Sequence, residues 1–440
     1  MPDAGVPFVV AVRANAHDVA VVIPEPIPND HLFTFDAADA PEAGRFAVRA
    51  ADRLARPVRP FADVPAIGGS HGDICLVLRE DAAFAPDAQT DEAAALARRL
   101  NAEGLTVECV TNAADERIAR ADLVHIFGAV SSASTEAAIA AARAAGRPYV
   151  VSLEPLAAPD TGYAEDGLLT MLQLGNDSAA QEIFRDAYFR NALQIDGIPA
   201  TLPAGEVQRR DRRFGAACAG ATAVLLAPHD DVDAFCRRFG EIAPERVRCG
   251  GVLLAAEPPE EPVAASVPSG SFVLMHAPLV RRSNLHLAVT ALAAAPYGIV
   301  VAGPVSDVDL AISLRRNAGR DVVFLPDPTD GVVAALYRRA AVFLEPSCRP
   351  AGVSRIVRAA LCGALPLVPR SSPLAPLLDE SAHLDTSTFA RLASGAGAAI
   401  GRTDLAVAAA LAAARFSALA DQRTAFAAVL DAYAQAQAPA

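Results

Sequence analysis

The sequence predicts an α/β protein in which two parallel β-sheets, each covered by helices, form two domains. Its 440 residues are enough for two or three domains at about 150 residues each. Short apolar runs alternate with helical segments from residue 73 to about 250, and the alternation restarts at residue 272, which is typical of parallel sheets. Between the two series, residues 255–271 are rich in Pro, Glu and Ser, a composition that favours an interdomain linker.

The first series of elements begins with "ICLVL" at residues 74–78. This run is continuously apolar, as expected of a strand buried on both faces. A helix is predicted next, because Thr90 can cap it and Gly104 can end it. Asp91 and Glu92 suit the first turn of that helix. The strands "LTVECV", "ADLVHIFG" and "PYVVSL" and the helix "STEAAIAAARAAG" continue the series.

The second series repeats the pattern of the first. It runs through "FVLMH", "NLHLAVTALAAA", "GIVVAG", "DVVFL", "DGVVAALYRRA", "AVFLEP", a short helix at residues 354–362, and "LPLV". Two Rossmann-like halves place a cleft between the carboxyl ends of two sets of strands, where ligands usually bind. The last helix, "RTAFAAVLDAYAQAQ", is amphipathic and is expected to pack against the body of the protein.

These patterns predict four regions. Residues 1–70 form an N-terminal extension, in which "FVVAV" and "VAVVI" indicate strands of a small β element. Residues 71–256 form the first Rossmann-like domain, and residues 257–270 form the linker. Residues 271–440 form the second Rossmann-like domain together with the C-terminal helix.

Composition excludes several classes of protein. The net charge of −13 argues against broad binding to nucleic acid or anionic membranes, since both need a basic surface. The seven cysteines are scattered, several within apolar runs, which predicts reduced core thiols rather than a zinc site. The start of the chain lacks the pattern of a signal peptide, and no apolar run has the length of a membrane span. A cytoplasmic protein is therefore expected, with no metal motif and no Walker-type loop.

Four segments in order carry a resemblance to a known family: "ADLVHIFG", "RVRCGGV", "DVVFLPDPTDGVVAALYRRAAVFLEPS" and "AALCGALPLVPRSSPLAPLL". Over residues 73–430 the chain is similar to GT-B-fold retaining glycosyltransferases, the group 1 or family 4-like group that includes sucrose and glycogen synthases. The resemblance implies transfer of a sugar from a nucleotide-sugar, held by the second domain, to a glycan, lipid or protein acceptor. The nucleotide-sugar would be a co-substrate, and no further cofactor is implied.

The chain departs from that family at the donor-binding positions. The family has a Gly-Arg pair and a Lys where this sequence has Ala277, Pro278 and Ser283. Its two glutamates, which contact the donor, correspond to Pro350 and Arg358. A diphosphate leaving group needs positioned cations or helix N-termini, and sugar hydroxyls need acceptors that a guanidinium cannot supply. The resemblance therefore implies a non-standard donor site.

Other cations are candidates for the missing phosphate contacts. Arg281 and Arg282 lie in the loop that precedes Ser283. Arg355 and Arg358 share a face of the short helix, and Ser354 is a candidate N-cap for that helix, whose start can bind an anion. The alternative for each arginine is a solvated surface side chain. Ser283 itself, and Gly303 with Pro304 at a strand end, are also candidate donor contacts, and a plain turn is the alternative for the last two.

The catalytic candidates are His125 and Glu154. A family histidine near the reacting sugar corresponds to this strand, but Phe127 takes the position nearer the cleft. His125 lies within an apolar strand, so a core histidine is the favoured alternative. Glu154 follows an apolar strand at the edge of the expected cleft and is a candidate acceptor contact. His276 ends the first strand of the second domain and is a further candidate.

Two functional hypotheses follow from these residues. The first is a glycosyltransferase with a reworked donor site that uses Arg281, Arg282 or Arg358 for phosphate. The alternative is a catalytically inactive glycosyltransferase-like subunit that binds a second glycosyltransferase or a glycan. The first is preferred because two intact domains preserve a cleft, although a fold alone does not establish a function.

Overall fold

The structure is a computed structural model. It describes residues 73–155 and 204–437, together with the short paired strands at residues 8–14, 17–23, 194–195 and 198–199. Within the two long ranges it leaves out residues 84, 131, 256–257, 281–282, 293–294, 296, 307–309, 312–313, 316–317, 319–321, 348–351, 371 and 386–388.

The N-terminal segment contains an antiparallel hairpin. Strand β1 (Phe8–Ala14) pairs with β2 (His17–Ile23), and two residues connect them. Both strands are rich in valine, a β-branched residue that favours extended backbone. They coincide with the strands that the sequence predicts in this segment.

The first large sheet has six parallel strands in the order β10-β9-β6-β5-β3-β4. Every position of β5 is buried, as expected for a central strand covered on both faces. Its strands and helices are β3 (Asp73–Val77), α1 (Ala88–Ala102), β4 (Thr106–Val110), α2 (Glu116–Arg120), β5 (Leu123–Gly128), α3 (Ala133–Ala144), β6 (Tyr149–Leu153), the separate pair β7 (Gln194–Ile195) and β8 (Ile198–Pro199), α4 (Ala204–Cys218), β9 (Ala223–Leu226), α5 (Val232–Arg238) and β10 (Val247–Cys249).

The second large sheet also has six parallel strands, in the order β13-β12-β11-β14-β15-β16. Its elements are β11 (Phe272–His276), α6 (Leu285–Ala291), β12 (Gly298–Gly303), β13 (Val322–Pro326), α7 (Asp330–Arg339), β14 (Val342–Leu344), α8 (Ser354–Leu361), β15 (Leu365–Pro369), β16 (His383–Leu384), α9 (Phe389–Ile400), α10 (Leu405–Ser417) and α11 (Gln422–Gln437). The predicted class, an α/β protein with two Rossmann-like halves, is confirmed.

Helix α11 follows the second sheet in the chain but packs on the first. Phe426, Val429 and Tyr433 are buried in one apolar cluster with Leu76 of β3. A side chain at Gly251 would overlap Ala425 of this helix. The last helix therefore belongs to the core of the first domain.

Among the residues in the described ranges, no single helix is long and apolar enough to cross a membrane. Helices α9 and α10 reach that composition only as a pair, and they meet at a bend of 97°.

The six cysteines within the described ranges are all free. Burial raises the pKa of the Cys75, Cys109 and Cys218 thiols to about 12. A thiol with so high a pKa carries little of the reactive thiolate. These three side chains therefore act as small apolar residues of the core.

Candidate functional site

The cleft lies where the carboxyl ends of the two sheets approach each other, and two recesses there are lined by described residues. The larger one has about 530 Å³ of empty space, including its mouth, and is lined by Glu92, His125, Phe127, Ser152 and Gly352 among others. The smaller one has about 330 Å³ and is lined by Asp87, His276, Ser283, Glu345, Ser347 and Arg355 among others.

A buried ion-pair network fixes the first-domain side of the cleft. Arg79 follows β3, and its guanidinium lies 2.5 Å from Glu154 Oε1 and 2.5 Å from Asp87 Oδ2. The side chains of Glu154 and Asp87 are only 2% and 5% exposed. Removing one partner of such a buried pair costs about 3–5 kcal/mol. Glu154 thus lies at the predicted strand end, with its carboxylate bound to Arg79.

His125 lies at the base of the larger recess and is fully buried. Its Nδ1 is 2.7 Å from the Tyr433 hydroxyl, and its Nε2 is 2.7 Å from Ser152 Oγ. The ring also stacks on Phe127 at 4.5 Å. Burial lowers the pKa of His125 to about 3, so the imidazole is neutral. These contacts match the alternative of a core histidine.

His276 ends β11 and lines the smaller recess. Its Nδ1 is 2.9 Å from the Tyr337 hydroxyl. Burial, helped by the charges of Arg355 and Arg358, lowers the pKa of His276 well below its usual value. The imidazole is therefore neutral. Because Nδ1 is bonded to Tyr337, a ligand contact by this ring would have to use Nε2.

Ser354 is the first residue of α8 rather than its N-cap, which corrects the expectation from sequence. Its backbone N–H donates to Glu92 Oε1 of α1 at 3.2 Å, and its hydroxyl donates to the Ala88 carbonyl at 3.0 Å. The sequence offered Ser354 as a local cap. Instead, the N–H and hydroxyl groups of Ser354 at the start of α8 donate to groups of the first domain.

Arg355 lines the smaller recess and is the buried cation of the cleft, with 6% exposure. Its Nε donates to Asp91 Oδ2 at 2.7 Å. Its two terminal nitrogens donate to the carbonyls of His276 at 3.2 Å and Pro86 at 3.3 Å. The guanidinium thus joins α1 to the end of β11.

Arg358 lies one turn further along α8 and has a different environment. It is half-buried, and its guanidinium lies over the Tyr337 ring, 4.9 Å from the centroid. The sequence places Arg355 and Arg358 on one face of the short helix, but of the two only Arg355 lines the smaller recess.

The loop after β11 is shaped by close backbone packing. Gly303 has a φ of 142°, and a Cβ there would overlap the Ala277 carbonyl oxygen. The Pro304 carbonyl accepts a hydrogen bond of 2.8 Å from Leu279 N–H. Gly303 is thus required by the approach of the neighbouring backbone. Ser283, 4% exposed, lines the smaller recess.

Three sequence candidates cannot be placed in the cleft. Arg281, Arg282 and Pro350 lie outside the residues that the structure describes. The predicted roles of the two arginines stay predictions.

Glu345 and Ser347 line the smaller recess and were missed by sequence reasoning. Glu345 follows β14, is 7% exposed, and accepts a hydrogen bond of 3.1 Å from Ser347 N–H. Burial raises the pKa of the Glu345 carboxyl. The sequence contained a signal for Glu345, because a carboxylate directly after an apolar strand is the same pattern that indicated Glu154.

Asn284 ties the loop after β11 to the loop after β14. Its Nδ2 donates to the Pro346 carbonyl at 2.9 Å. Its backbone is left-handed, with a φ of 51°, a conformation that asparagine adopts more readily than most residues. Its buried Oδ1 has no hydrogen-bond partner among the described residues. The two loops that line the smaller recess are therefore held at a fixed separation.

Comparison with known proteins gives a fold but no close relative. No protein-family model matches the chain, and no curated protein matches it. The sucrose-phosphate synthase of Thermosynechococcus elongatus is 15% identical with a TM-score of 0.55, covering 83% of this chain and 99% of that one. The Anabaena protein HepE, solved with UDP and glucose, is 15% identical with a TM-score of 0.54, covering 83% and 100%. These likenesses establish the two-domain GT-B fold.

Proposed function

We propose that this protein is a glycosyltransferase that moves a sugar from an activated donor, a nucleotide-sugar, to a glycan, lipid or protein acceptor. The observation that carries the proposal is Arg355, a buried cation in a recess at the carboxyl ends of β11 and β14. The fold is shared with a sucrose-phosphate synthase and with a protein solved with UDP and glucose. Its cleft is the usual place for a ligand in such a fold.

The smaller recess offers chemistry suited to a donor. Arg355 and the N–H groups that begin α8 can neutralise a diphosphate as negative charge develops on it. Each charge-assisted hydrogen bond is worth about 1.5–3 kcal/mol. Arg355 would thus replace the cations that the chain lacks at Pro278 and Ser283.

Polar groups of the same recess can bind sugar hydroxyls. Glu345 and Ser347 follow β14, and the Ser347 hydroxyl lies 3.4 Å from the Ser283 carbonyl. Carboxylate and hydroxyl oxygens accept hydrogen bonds from a ribose or hexose. We assign to Glu345 the donor-sugar contact that the substitutions at Pro350 and Arg358 remove.

The larger recess is the proposed acceptor side. Glu92, only partly exposed, lies at the boundary between it and α8. His125 stays neutral and holds Ser152 and Tyr433, so its proposed role there is to shape the recess. The proposal also includes a cytoplasmic location and a retaining outcome, both as the resemblance implies. A second glycosyltransferase as partner belongs to the alternative of an inactive subunit.

The test is transfer by the purified protein. We expect binding of one member of a panel of nucleoside diphosphates and their sugar conjugates by calorimetry, and hydrolysis or transfer of the matching sugar. Arg355→Ala should weaken that binding by roughly ten- to a hundredfold, whereas Arg120→Ala, an exposed arginine of α2, should leave it unchanged. The anomeric configuration of the product, read by NMR, decides between retention and inversion.

Two outcomes would reject the proposal. One is that the wild type binds none of the panel at millimolar concentration. The other is that the pure protein is inert yet raises the activity of a second glycosyltransferase, which is the behaviour of an inactive subunit. Activity with no partner present rejects that alternative.

A further inference from the structure

A charged contact joins the two domains at the edge of the smaller recess. We call it the α1–α8 latch, and it consists of Ala88, Asp91 and Glu92 of the first domain with Ser354 and Arg355 of the second. The hydrogen bonds that cross it include one of 2.7 Å from Arg355 to Asp91, one of 3.2 Å from Ser354 N–H to Glu92, and one of 3.0 Å from the Ser354 hydroxyl to the Ala88 carbonyl.

The latch is closely packed as well as charged. A Cβ at Gly352 would lie 3.0 Å from the Ala88 Cβ and 3.0 Å from the Gln89 nitrogen. Glycine at this position thus lets the loop before α8 rest on the first turn of α1. The contact joins two backbones, not only the ends of long side chains.

The first-domain half of the latch is held in place from behind. Asp87 caps α1 by accepting hydrogen bonds of 3.1 Å from both Gln89 N–H and Thr90 N–H. Asp87 is also paired with Arg79, which in turn binds Glu154. The first turn of α1 is therefore fixed to the edge of the first sheet, and Asp91 and Glu92 meet α8 from a rigid support.

The latch occupies groups that the proposed function assigns to a diphosphate. Arg355 Nε is bonded to Asp91, and the first N–H of α8 is bonded to Glu92. An N–H whose acceptor is a carboxyl oxygen cannot donate fully to a phosphate oxygen at the same time. Ligand and latch therefore exclude each other at these atoms.

We propose that the α1–α8 latch is an autoinhibitory contact. The Asp91 carboxylate on Arg355 stands in for an anionic ligand, the Glu92 carboxyl occupies the first N–H of α8, and together they hold the cleft shut until a diphosphate displaces them. Only the identity of that anion rests on the proposed function. If the latch is closed in nine molecules of ten, the apparent affinity for the anion is lowered about tenfold. Removing the latch should restore that factor.

The experiment removes both carboxyl groups with Asp91→Ala/Glu92→Ala, since alanine preserves the helix propensity of α1. The matched control is Glu103→Gln, an exposed residue just beyond the far end of α1. Calorimetry with inorganic pyrophosphate measures anion binding. Hydrogen exchange at the amides that begin α8 measures latch opening. We expect tighter pyrophosphate binding in the double variant, by about tenfold for a latch closed in nine molecules of ten, together with faster exchange, and wild-type values in the control.

Unchanged or weaker pyrophosphate binding in the double variant, or no binding by either protein, overturns the proposal, and so does unchanged exchange at α8. The single variant Asp91→Ala serves if the double variant does not fold, because the Asp91 side chain is 44% exposed and tolerates truncation. A failure of the proposed function is seen separately, as absence of sugar transfer by wild type and variants alike, whatever pyrophosphate does.

Discussion

Among the described residues, two of the contacts that join the domains have opposite chemistry. Helix α11 inserts apolar side chains, among them Phe426 and Tyr433, into the core of the first sheet. The α1–α8 latch joins the same domains through Arg355, Asp91 and Glu92 at the mouth of the cleft. Water does not compete for an apolar contact, which is therefore broken only by unfolding. In a charged contact, another anion can replace the carboxylate that binds the cation. We call the contact made by α11 the permanent contact and the α1–α8 latch the switchable contact.

The largest expected effect breaks the permanent contact. Phe426→Ala removes a side chain that is 7% exposed and should lower the free energy of unfolding by about 3–5 kcal/mol. Denaturant unfolding measures this. Leu430→Ala on the same helix, where the side chain is 37% exposed, is the control and should cost far less. Equal losses for the two variants would mean that α11 does not dock as described.

The next effect breaks the switchable contact. Arg355→Ala removes charge-assisted hydrogen bonds to Asp91 and to two carbonyls, at a cost of about 1.5–3 kcal/mol. The loss stays below that of a fully buried pair, because Asp91 is 44% exposed and regains water. Thermal unfolding gives the stability, and hydrogen exchange at α8 gives the opening. A variant that is destabilised with no faster exchange at α8 would argue against a local latch.

The stability of the α1–α8 latch should also depend on pH, unlike that of the apolar contact made by α11. Burial, with a smaller contribution from the charge of Asp91, raises the pKa of the Glu92 carboxyl from 4.5 to about 8, although hydrogen bonds from Ser354 and Val353 oppose the shift. Between these pH values closure takes up a proton, so the closed form loses stability as pH rises, by at most about 1.4 kcal/mol per pH unit. Exchange at α8 should speed up from pH 5.5 to 8.5.

Glu92→Gln is the control for that titration, because its side chain resembles the protonated acid and does not ionise. Its α8 exchange, corrected for the intrinsic pH dependence of amide exchange, should be flat over the same range. A wild-type profile as flat as that of the variant would exclude Glu92 as the titrating group.

The smallest effect separates two arginines of one helix. Arg358 lies on the Tyr337 ring, a contact worth about 0.5–1 kcal/mol at a partly exposed site. Because Arg358 does not line the smaller recess, Arg358→Ala should change nucleotide binding by less than about fivefold, well below the loss from Arg355→Ala. Calorimetry on the two variants decides, and a larger loss for Arg358 would return the phosphate contact to the residue that the sequence favoured.

The fold was predictable because local sequence patterns indicate its strands and helices. A strand such as β5, buried at every position, is a continuous apolar run, and the repeated alternation of runs and helices predicts parallel sheets. The strand-end position of Glu154 was predictable for the same reason. Its partner was not, since Arg79 lies 75 residues earlier in the chain and no spacing rule connects the two.

The latch was the least predictable feature of the cleft. Asp91 and Glu92 suit the first turn of their own helix, which is a complete local explanation. Glu92 nevertheless binds Ser354, 262 residues later in the chain. The choice between Arg355 and Arg358 likewise depends on which turn of α8 faces the other domain. Helical periodicity places residues on a face but does not say what that face meets.

The position of α11 has a consequence for folding of the chain during its synthesis on the ribosome. The residues at 422–437 leave the ribosome after every strand of both large sheets, yet they cover an apolar face of the first. Until they arrive, His125 lacks the Tyr433 hydroxyl and the face around Leu76 is open to water. Exposed apolar surface of this kind makes a nascent domain prone to aggregation. The first domain to be synthesised is thus the last to be completed.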